Sequence, residues 1–228
     1  SCPIVTGGLG GRSGASGGGR AGRDRMADRR GDRPGMDDVF RLLRDAQVDV
    51  SPGLDEFELA ELIFAHEERF REEQRLLYML LVVLIAPFDR LCREHLRANC
   101  LLLNPVDLAE AAVVGLIADH FFDRRETPLR AVVRDHLRRV ALRFTHDPTM
   151  FLWQPDEASS EQSRVFHIAC GVVNGLPIDV RRVALLAWVE QKPWRQIEAL
   201  TGRHPEEIER ILEQILLRAQ QVLVGGDP

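Results

Sequence analysis

Lysine and cysteine are scarce in this chain, and the small number and spacing of the cysteines exclude several classes of protein. There is one lysine, Lys192, against 29 arginines, and the four cysteines stand at irregular spacings. No Cys-x-x-Cys pair is present, so the sequence predicts no structural zinc site. Sparse, irregular cysteines also do not fit the disulfide framework of a small secreted domain. They are typical of a reducing compartment and favour a cytoplasmic protein.

Long apolar runs are also missing. The longest, Leu76–Ala86, has 11 residues, whereas a helix that crosses a bilayer needs about 20. We therefore expect no membrane partner. The run predicts a helix that is buried on all sides, and a helix that binds a partner protein is the alternative.

The N-terminal 36 residues contain few of the apolar side chains that a core requires. Residues 1–35 contain 11 of the 18 glycines, and seven arginines against three acidic residues. Burial in a segment of this composition cannot offset the loss of chain entropy on folding. We expect residues 1–36 to form a disordered tail rich in glycine and arginine.

Acidic residues are concentrated in the middle of the chain. The formal net charge is −5, of which residues 1–35 carry +4 and residues 36–160 carry −8. This balance excludes a uniformly basic protein that coats nucleic acid. Any contact with nucleic acid must therefore be local.

The pattern from Asp37 onward is helical. Apolar residues recur at spacings of three and four, and sustained alternation is scarce. An all-α fold is therefore predicted, with one long acidic helix from Leu54 to about Ala86. Proline-containing signals mark the starts of later helices. They are Asn104-Pro105, Thr127-Pro128, Pro177, Pro193 and His204-Pro205.

The helical pattern lapses between residues 147 and 159, where turn-forming residues are frequent. This segment is predicted to be a linker between two small helical domains, residues 37–146 and residues 160–228.

No pattern for catalysis or metal binding emerges. The pairs Asp119-His120 and Asp135-His136 are adjacent in sequence, so their members point to different helix faces. A solvated surface is the expectation for both pairs. We therefore expect no catalytic residue, no metal, no cofactor and no enzymatic activity.

The C-terminal segment predicts a helix-turn-helix. Three helices are expected at Ile178–Glu190, Pro193–Leu200 and Pro205–Val222, with an earlier helix at Ser160–Asn174 closing the bundle. The second and third are separated by a short turn that contains Gly202, which is typical of this motif. Gly202 is expected to have a positive φ that a Cβ would penalise.

The order of residues in this segment carries a family resemblance. The residues are Leu176-Pro177-x-x-x-Arg181-x-Val183-x-Leu185, Trp194-x-x-Ile197-x-x-Leu200-x-Gly202 and Ile208-x-x-x-Leu212. They resemble the C-terminal promoter-reading domain of bacterial RNA polymerase sigma factors of the extracytoplasmic-function type. The resemblance covers residues 160–224. It implies contacts to promoter DNA from Trp194, Arg195, Gln196, Arg203, His204 and Arg210.

A second stretch resembles the N-terminal domain of the same family. Its residues are Asp89-Arg90-Leu91 to Leu103, Asn104-Pro105-Val106-Asp107-Leu108, and Pro128-Leu129-Arg130 to Leu142. The resemblance implies binding to core RNA polymerase through Asp107, Leu108, Glu110 and Ala111. It also implies contact with the −10 promoter element through Arg130, Arg134, Arg138, Arg139 and Arg143. The arginines have a second interpretation, as a solvated face that pairs with the acidic helix from Leu54 to Ala86.

The chain departs from the family pattern in its third C-terminal helix. Four glutamates, Glu206, Glu207, Glu209 and Glu213, stand where the family is basic. Two hypotheses therefore remain open. The protein is a divergent sigma factor, for which the family implies an anti-sigma regulator, or a sigma-like fold that has lost DNA reading and acts as a protein-interaction module.

Overall fold

A computed structural model describes residues 35–70, 73–123, 127–154 and 161–225, with only the backbone described at residues 73 and 120–123. The predicted tail lies outside the described residues except for Gly35 and Met36. Within these residues the fold is all-α, as predicted, and β structure is limited to one isolated bridge between Leu103 and Phe151. The helices are α1 Met36–Asp45, α2 Glu56–Ala65, α3 Glu73–Asn99, α4 Pro105–Asp123, α5 Leu129–Arg143, α6 Glu161–Asn174, α7 Ile178–Ala184, α8 Trp194–Thr201 and α9 Pro205–Gly225.

The predicted single helix from Leu54 to Ala86 is wrong, because the structure divides it into α2 and α3. Asp55 begins α2 through a capping box in which its carboxylate accepts from the backbone of Glu58. After α2 the chain forms a short 3₁₀ turn, where the guanidinium of Arg69 donates to the carbonyl oxygen of Gln47 at 2.9 Å. This contact ties the segment after α2 to the turn that follows α1.

The core lies mainly between α3 and α4, with α1, α2 and α5 packed around them. The side chains of Met79, Leu80 and Leu84 on α3 have no solvent exposure, whereas Leu81 is 36% exposed. The apolar run is therefore buried on one side rather than on all sides. Each fully buried side chain of this size stabilises the fold by about 1.5–3 kcal/mol.

The C-terminal helices α6–α9 form the second part of the core, in which α6 packs along α9. Proline precedes the first residue of α7 and of α8, and it is the first residue of α9, as predicted. The helix that begins as α7 widens into a π-helical turn at Leu185–Val189.

Buried contacts join these two groups of helices, and Met36–Gly225 form one compact unit. The side chain of Asn174, at the end of α6, accepts from the backbone N–H of Leu102 at 2.7 Å and donates to the carbonyl oxygen of Thr145 at 3.2 Å. The ring of Phe151 lies against Gly171 of α6, where an added Cβ would approach it to 2.7 Å. The predicted domain boundary at 147–159 stays a prediction, since residues 155–159 lie outside the described residues.

None of the described helices is long and apolar enough to cross a membrane.

Candidate nucleic-acid interface

Helices α8 and α9 are joined by a short turn at residues 202–204, where the sequence predicted a helix-turn-helix. Gly202 has φ +70°, as predicted, and its N–H donates to the carbonyl oxygen of Glu198 at 2.7 Å. The hydroxyl of Thr201 donates to the carbonyl oxygen of Ile197 at 2.7 Å, which closes the last turn of α8. Ile197 and Ile208 anchor the two helices in the core. In such a motif the second helix offers its N-terminal residues to a DNA groove.

Most of the C-terminal residues that the sequence suggested for DNA contact lie on the surface. Trp194 is 38% exposed, and the other exposed members are Arg195, Gln196, His204 and Arg210. A surface of this kind is sterically free to meet a ligand. No ion pair is found for Arg195 or Arg210 within the described part of the chain.

Arg203 differs from the other candidates, since it is already engaged. Its guanidinium lies 2.5 Å from a carboxylate oxygen of Asp179 in α7 and also pairs with Glu207 in α9. The side chain is 24% exposed. Arg203 therefore links α7 to the first turn of α9, and it neutralises Glu207.

The exposed face of α9 is mostly acidic in its first three turns. Glu206, Glu209, Arg210 and Glu213 are exposed, whereas Ile208 and Leu212 on the opposite side are buried. Positions 206, 209, 210 and 213 follow the i, i+3, i+4, i+7 spacing of one helix face. We call these four residues the α9 stripe.

Helix α5 presents the arginines that the sequence singled out. Its buried face consists of Leu129, Val133, His136, Leu137 and Ala141. Arg130 pairs with Asp55, and Arg139 lies 3.7 Å from Asp135. Arg134 and Arg138 are exposed, and neither has an acidic partner within 4 Å among the described residues.

These contacts bear on the solvated-face interpretation of α5. Within the described residues, only Arg130 of the five arginines pairs with the acidic segment 54–86. The guanidinium of Arg143 instead lies over the ring of Phe144, 5.5 Å from its centroid. Arg138 also acts on His95 of α3. Burial lowers the pKa of His95 most, and the positive charge of Arg138 lowers it further. Arg134 and Arg138 are therefore the arginines of α5 for which the described residues provide neither an ion pair nor a ring contact.

The expected solvated surface for Asp135-His136 is wrong for the histidine. His136 is 4% exposed, and its Nε2 donates to the carbonyl oxygen of Ala112 in α4 at 2.9 Å. Its Nδ1 lies 3.4 Å from a carboxylate oxygen of Asp119. The ring also packs against Gly115, where an added Cβ would lie 3.4 Å from it, within ordinary van der Waals contact. The histidine therefore joins α5 to α4.

Helix α4 carries the residues that the sequence suggested for polymerase binding. Glu110 is exposed and Asp107 and Ala111 are half-buried, but Leu108 has no exposure and belongs to the core. Among the side chains of this helix that the structure describes, the exposed large apolar ones are Val106 and Val114, four positions to either side of Glu110. Sequence reasoning missed both valines, although their spacing could have indicated a common face.

A groove of about 590 Å³ separates the end of α3 from α7 and the end of α8. Its charged lining includes Arg97, Asp179, Arg182, Glu190 and Arg203. Arg97 and Glu190 lie 3.4 Å apart across it. Because the lining mixes both signs, the groove has no strong preference for one charge of ligand.

The described cysteines, Cys92, Cys100 and Cys170, are buried. Burial raises the pKa of Cys92 to about 12 and that of Cys170 to about 11, which leaves both as poor nucleophiles. No cluster of three side chains able to hold a metal ion occurs among the described residues.

No protein-family model, curated protein or solved structure was found to match this chain.

Proposed function

We propose that this protein is a sigma-factor-like transcription initiation protein that binds core RNA polymerase and promoter DNA. One observation supports the proposal: two helices joined by a short turn with a left-handed glycine occur in one compact unit with α5, whose exposed Arg134 and Arg138 have no acidic partner within 4 Å among the described residues. Phosphate contacts by arginine supply most of the affinity of DNA-binding proteins.

Arg134 and Arg138 of α5 contact the DNA backbone in this proposal. They lie four residues apart on an exposed face, and the buried face of α5 holds the helix in place. Two residues of α8 supply a second contact. Arg195 binds a phosphate, and Gln196 binds a phosphate or a base edge.

The polymerase contacts the exposed face of α4 in this proposal. Val106, Glu110 and Val114 form a stripe of two apolar side chains around one acid. Such a stripe suits a protein groove with a basic residue at its centre.

Gel shifts at low salt test DNA binding, with duplexes from the region upstream of the gene for this protein. The double variant Arg134→Ala/Arg138→Ala should lose at least tenfold in affinity and reduce the salt dependence of binding. Arg41→Ala/Arg44→Ala on α1 is the matched control, because it removes the same charge from another exposed helix. Equal loss in both double variants would show that only net charge matters.

A pull-down of core RNA polymerase tests the proposed binding to the polymerase. Val114→Glu should abolish retention, whereas Leu217→Glu, an equally exposed leucine on α9, should not. The absence of both polymerase retention and DNA binding would contradict the proposal.

The alternative function is a protein-interaction module that has lost DNA reading. The acidic α9 stripe favours it, since carboxylates repel a phosphate backbone. A partner such as an anti-sigma regulator would then bind α9 through basic residues. Replacing Glu206, Glu209 and Glu213 by Ala discriminates the two: the alternative predicts the loss of a protein complex, and the sigma-like function predicts unchanged polymerase retention.

A further inference from the structure

The groove between the end of α3 and helices α7 and α8 carries an inference that goes beyond the proposed function. We propose that this groove binds a small organic molecule with one carboxylate on an apolar body, and that Arg182 of α7 holds the carboxylate. The volume of about 590 Å³ lies within the usual range of pockets for small molecules.

Arg182 is the cation of the groove that the described residues leave without an ion pair. The groove is lined by three arginines and two acids, so one positive charge is in excess. Arg97 pairs with Glu190 at 3.4 Å. Arg203 pairs with Asp179 at 2.5 Å. These pairs cancel most of the mixed charge, so recognition depends on the exposed guanidinium of Arg182. A carboxylate balances one positive charge, whereas a phosphate monoester would exceed it.

Apolar side chains line the groove beside this cation. Ile178 and Leu200 are 48% and 45% exposed, although both lie in a concave surface. Ile178, Arg182 and Leu185 follow the i, i+4, i+7 spacing of one helix face, and all three line the groove. An apolar body removes such side chains from water while its carboxylate meets the arginine.

The backbone at the groove departs from regular geometry in two places. The π-helical turn Leu185–Val189 contributes its first two residues to the lining, and such turns are frequent at functional sites. Two of the three non-glycine residues with positive φ in the described chain lie here. Cys100, with φ 52°, lines the groove, and Gln191, with φ 48°, follows the lining residue Glu190. Strained backbone of this kind is typical of ligand-binding sites.

Positive charge is felt at the buried wall of the groove, at Cys100. Burial raises the pKa of this thiol, the charges of Arg181 and then Arg182 lower it, and the charge of Glu190 raises it by less. Arg181 does not line the groove, so it adds charge without a contact. A carboxylate bound near Cys100 therefore meets a positive field.

A ligand-observed NMR titration of the full chain tests the inference, with 4-phenylbutyrate as the probe and 4-phenylbutanamide as its uncharged analogue. The acid should bind with a Kd of about 1 mM or tighter. The amide should bind at least about tenfold more weakly, because it cannot form a charged hydrogen bond with a guanidinium.

Arg182→Gln should weaken the binding of the acid at least about tenfold and leave the binding of the amide unchanged. Arg218→Gln is the matched control, because Arg218 is an exposed arginine of α9 outside the lining. It should not change the Kd. Leu200→Glu should also weaken the binding of the acid, whereas Leu217→Glu, at an exposed leucine outside the groove, should not.

Three results would overturn the inference. The first is equal affinity for the acid and the amide, and the second is an equal loss in Arg182→Gln and Arg218→Gln. The third is the absence of saturation by the acid up to about 10 mM. Neither DNA nor polymerase takes part in these measurements, so their outcome does not depend on the proposed function.

Discussion

Arg203 illustrates how a single side chain changes role between sequence and structure. By its position after Gly202 it resembles a DNA contact, yet its guanidinium lies between Asp179 and Glu207. The interaction joins α7 to α9 across 24 residues of sequence, a separation that no local pattern reveals. Arg203 is therefore a residue that positions α9 against α7.

Replacing Arg203 by Gln should lower the free energy of unfolding by about 1 kcal/mol, because both partner carboxylates lose their ion pair at a partly exposed site. In a chain of this size that corresponds to about 2–4 °C in melting temperature. Thermal unfolding followed by circular dichroism measures the change.

Arg210→Gln is the control, since Arg210 is exposed and no ion pair involves it among the described residues. It should leave the melting temperature unchanged and weaken DNA binding. If the two variants lose stability equally, the positioning role of Arg203 is wrong.

Some local features could be predicted from sequence alone. Gly202 was expected at positive φ because a short turn between two helices requires it, and the structure has φ +70°. The burial of His136 was missed, because its partners Ala112 and Asp119 lie 24 and 17 residues away. The burial of Leu108 was missed for a similar reason, since a helix position alone does not show which face meets the core.

Among the helices, α2 and α5 depend on one carboxylate. Asp55 caps α2, and it also pairs with Arg130 of α5. The pKa of Asp55 lies below the ordinary value of 3.8. The main cause is the hydrogen bond from the Glu58 N–H, and the Phe57 N–H and the charge of Arg130 add to it, whereas partial burial raises the pKa. The sequence placed the start of this helix near Leu54, but not the break after Ala65.

Asp55→Ala should destabilise the protein by about 1 kcal/mol at pH 7, which is typical of a lost N-cap. Because folding lowers the pKa of Asp55, its ionised form stabilises the protein above pH 3.8, and this stabilisation is lost as the pH falls through the folded-state pKa. The melting temperatures of wild type and variant should therefore converge below pH 3.8.

Asp55→Asn serves as the control, because asparagine is also a good N-cap but carries no charge. At pH 7 the melting temperature of Asp55→Asn should lie between those of wild type and Asp55→Ala. The difference in melting temperature between Asp55→Asn and Asp55→Ala should not depend on pH. A gap between wild type and Asp55→Ala that stays constant down to pH 3 would contradict the role of the ionised carboxylate.

Over the full described chain, the N-terminal and C-terminal helices share a buried junction. Asn174 is 4% exposed and bonds to backbone on both sides of α4–α5, at Leu102 and Thr145. The all-α class could be predicted from the spacing of the apolar residues. The junction could not, because Leu102 and Thr145 lie 72 and 29 residues from Asn174 in the sequence. The two predicted domains are thus expected to unfold together.

Urea unfolding with two probes tests this expectation. All three tryptophans, Trp153, Trp188 and Trp194, lie toward the C-terminal helices, whereas far-UV circular dichroism reports on every helix. Wild type should give coincident transitions.

Asn174→Ala leaves two buried backbone groups without partners and should lower stability by about 3 kcal/mol. Asn99→Ala, which loses bonds only within α3, should lose less than about 1 kcal/mol. Separate transitions in wild type would indicate independent domains.

The proposed function is tested most directly by transcription with purified components. Core RNA polymerase is mixed with fragments of the source genome, with and without this protein, and the transcripts are counted. The sigma-like account predicts discrete start sites that appear only when the protein is present, and at least a tenfold loss of these transcripts with Arg134→Ala/Arg138→Ala. Identical transcripts with and without the protein would contradict the account.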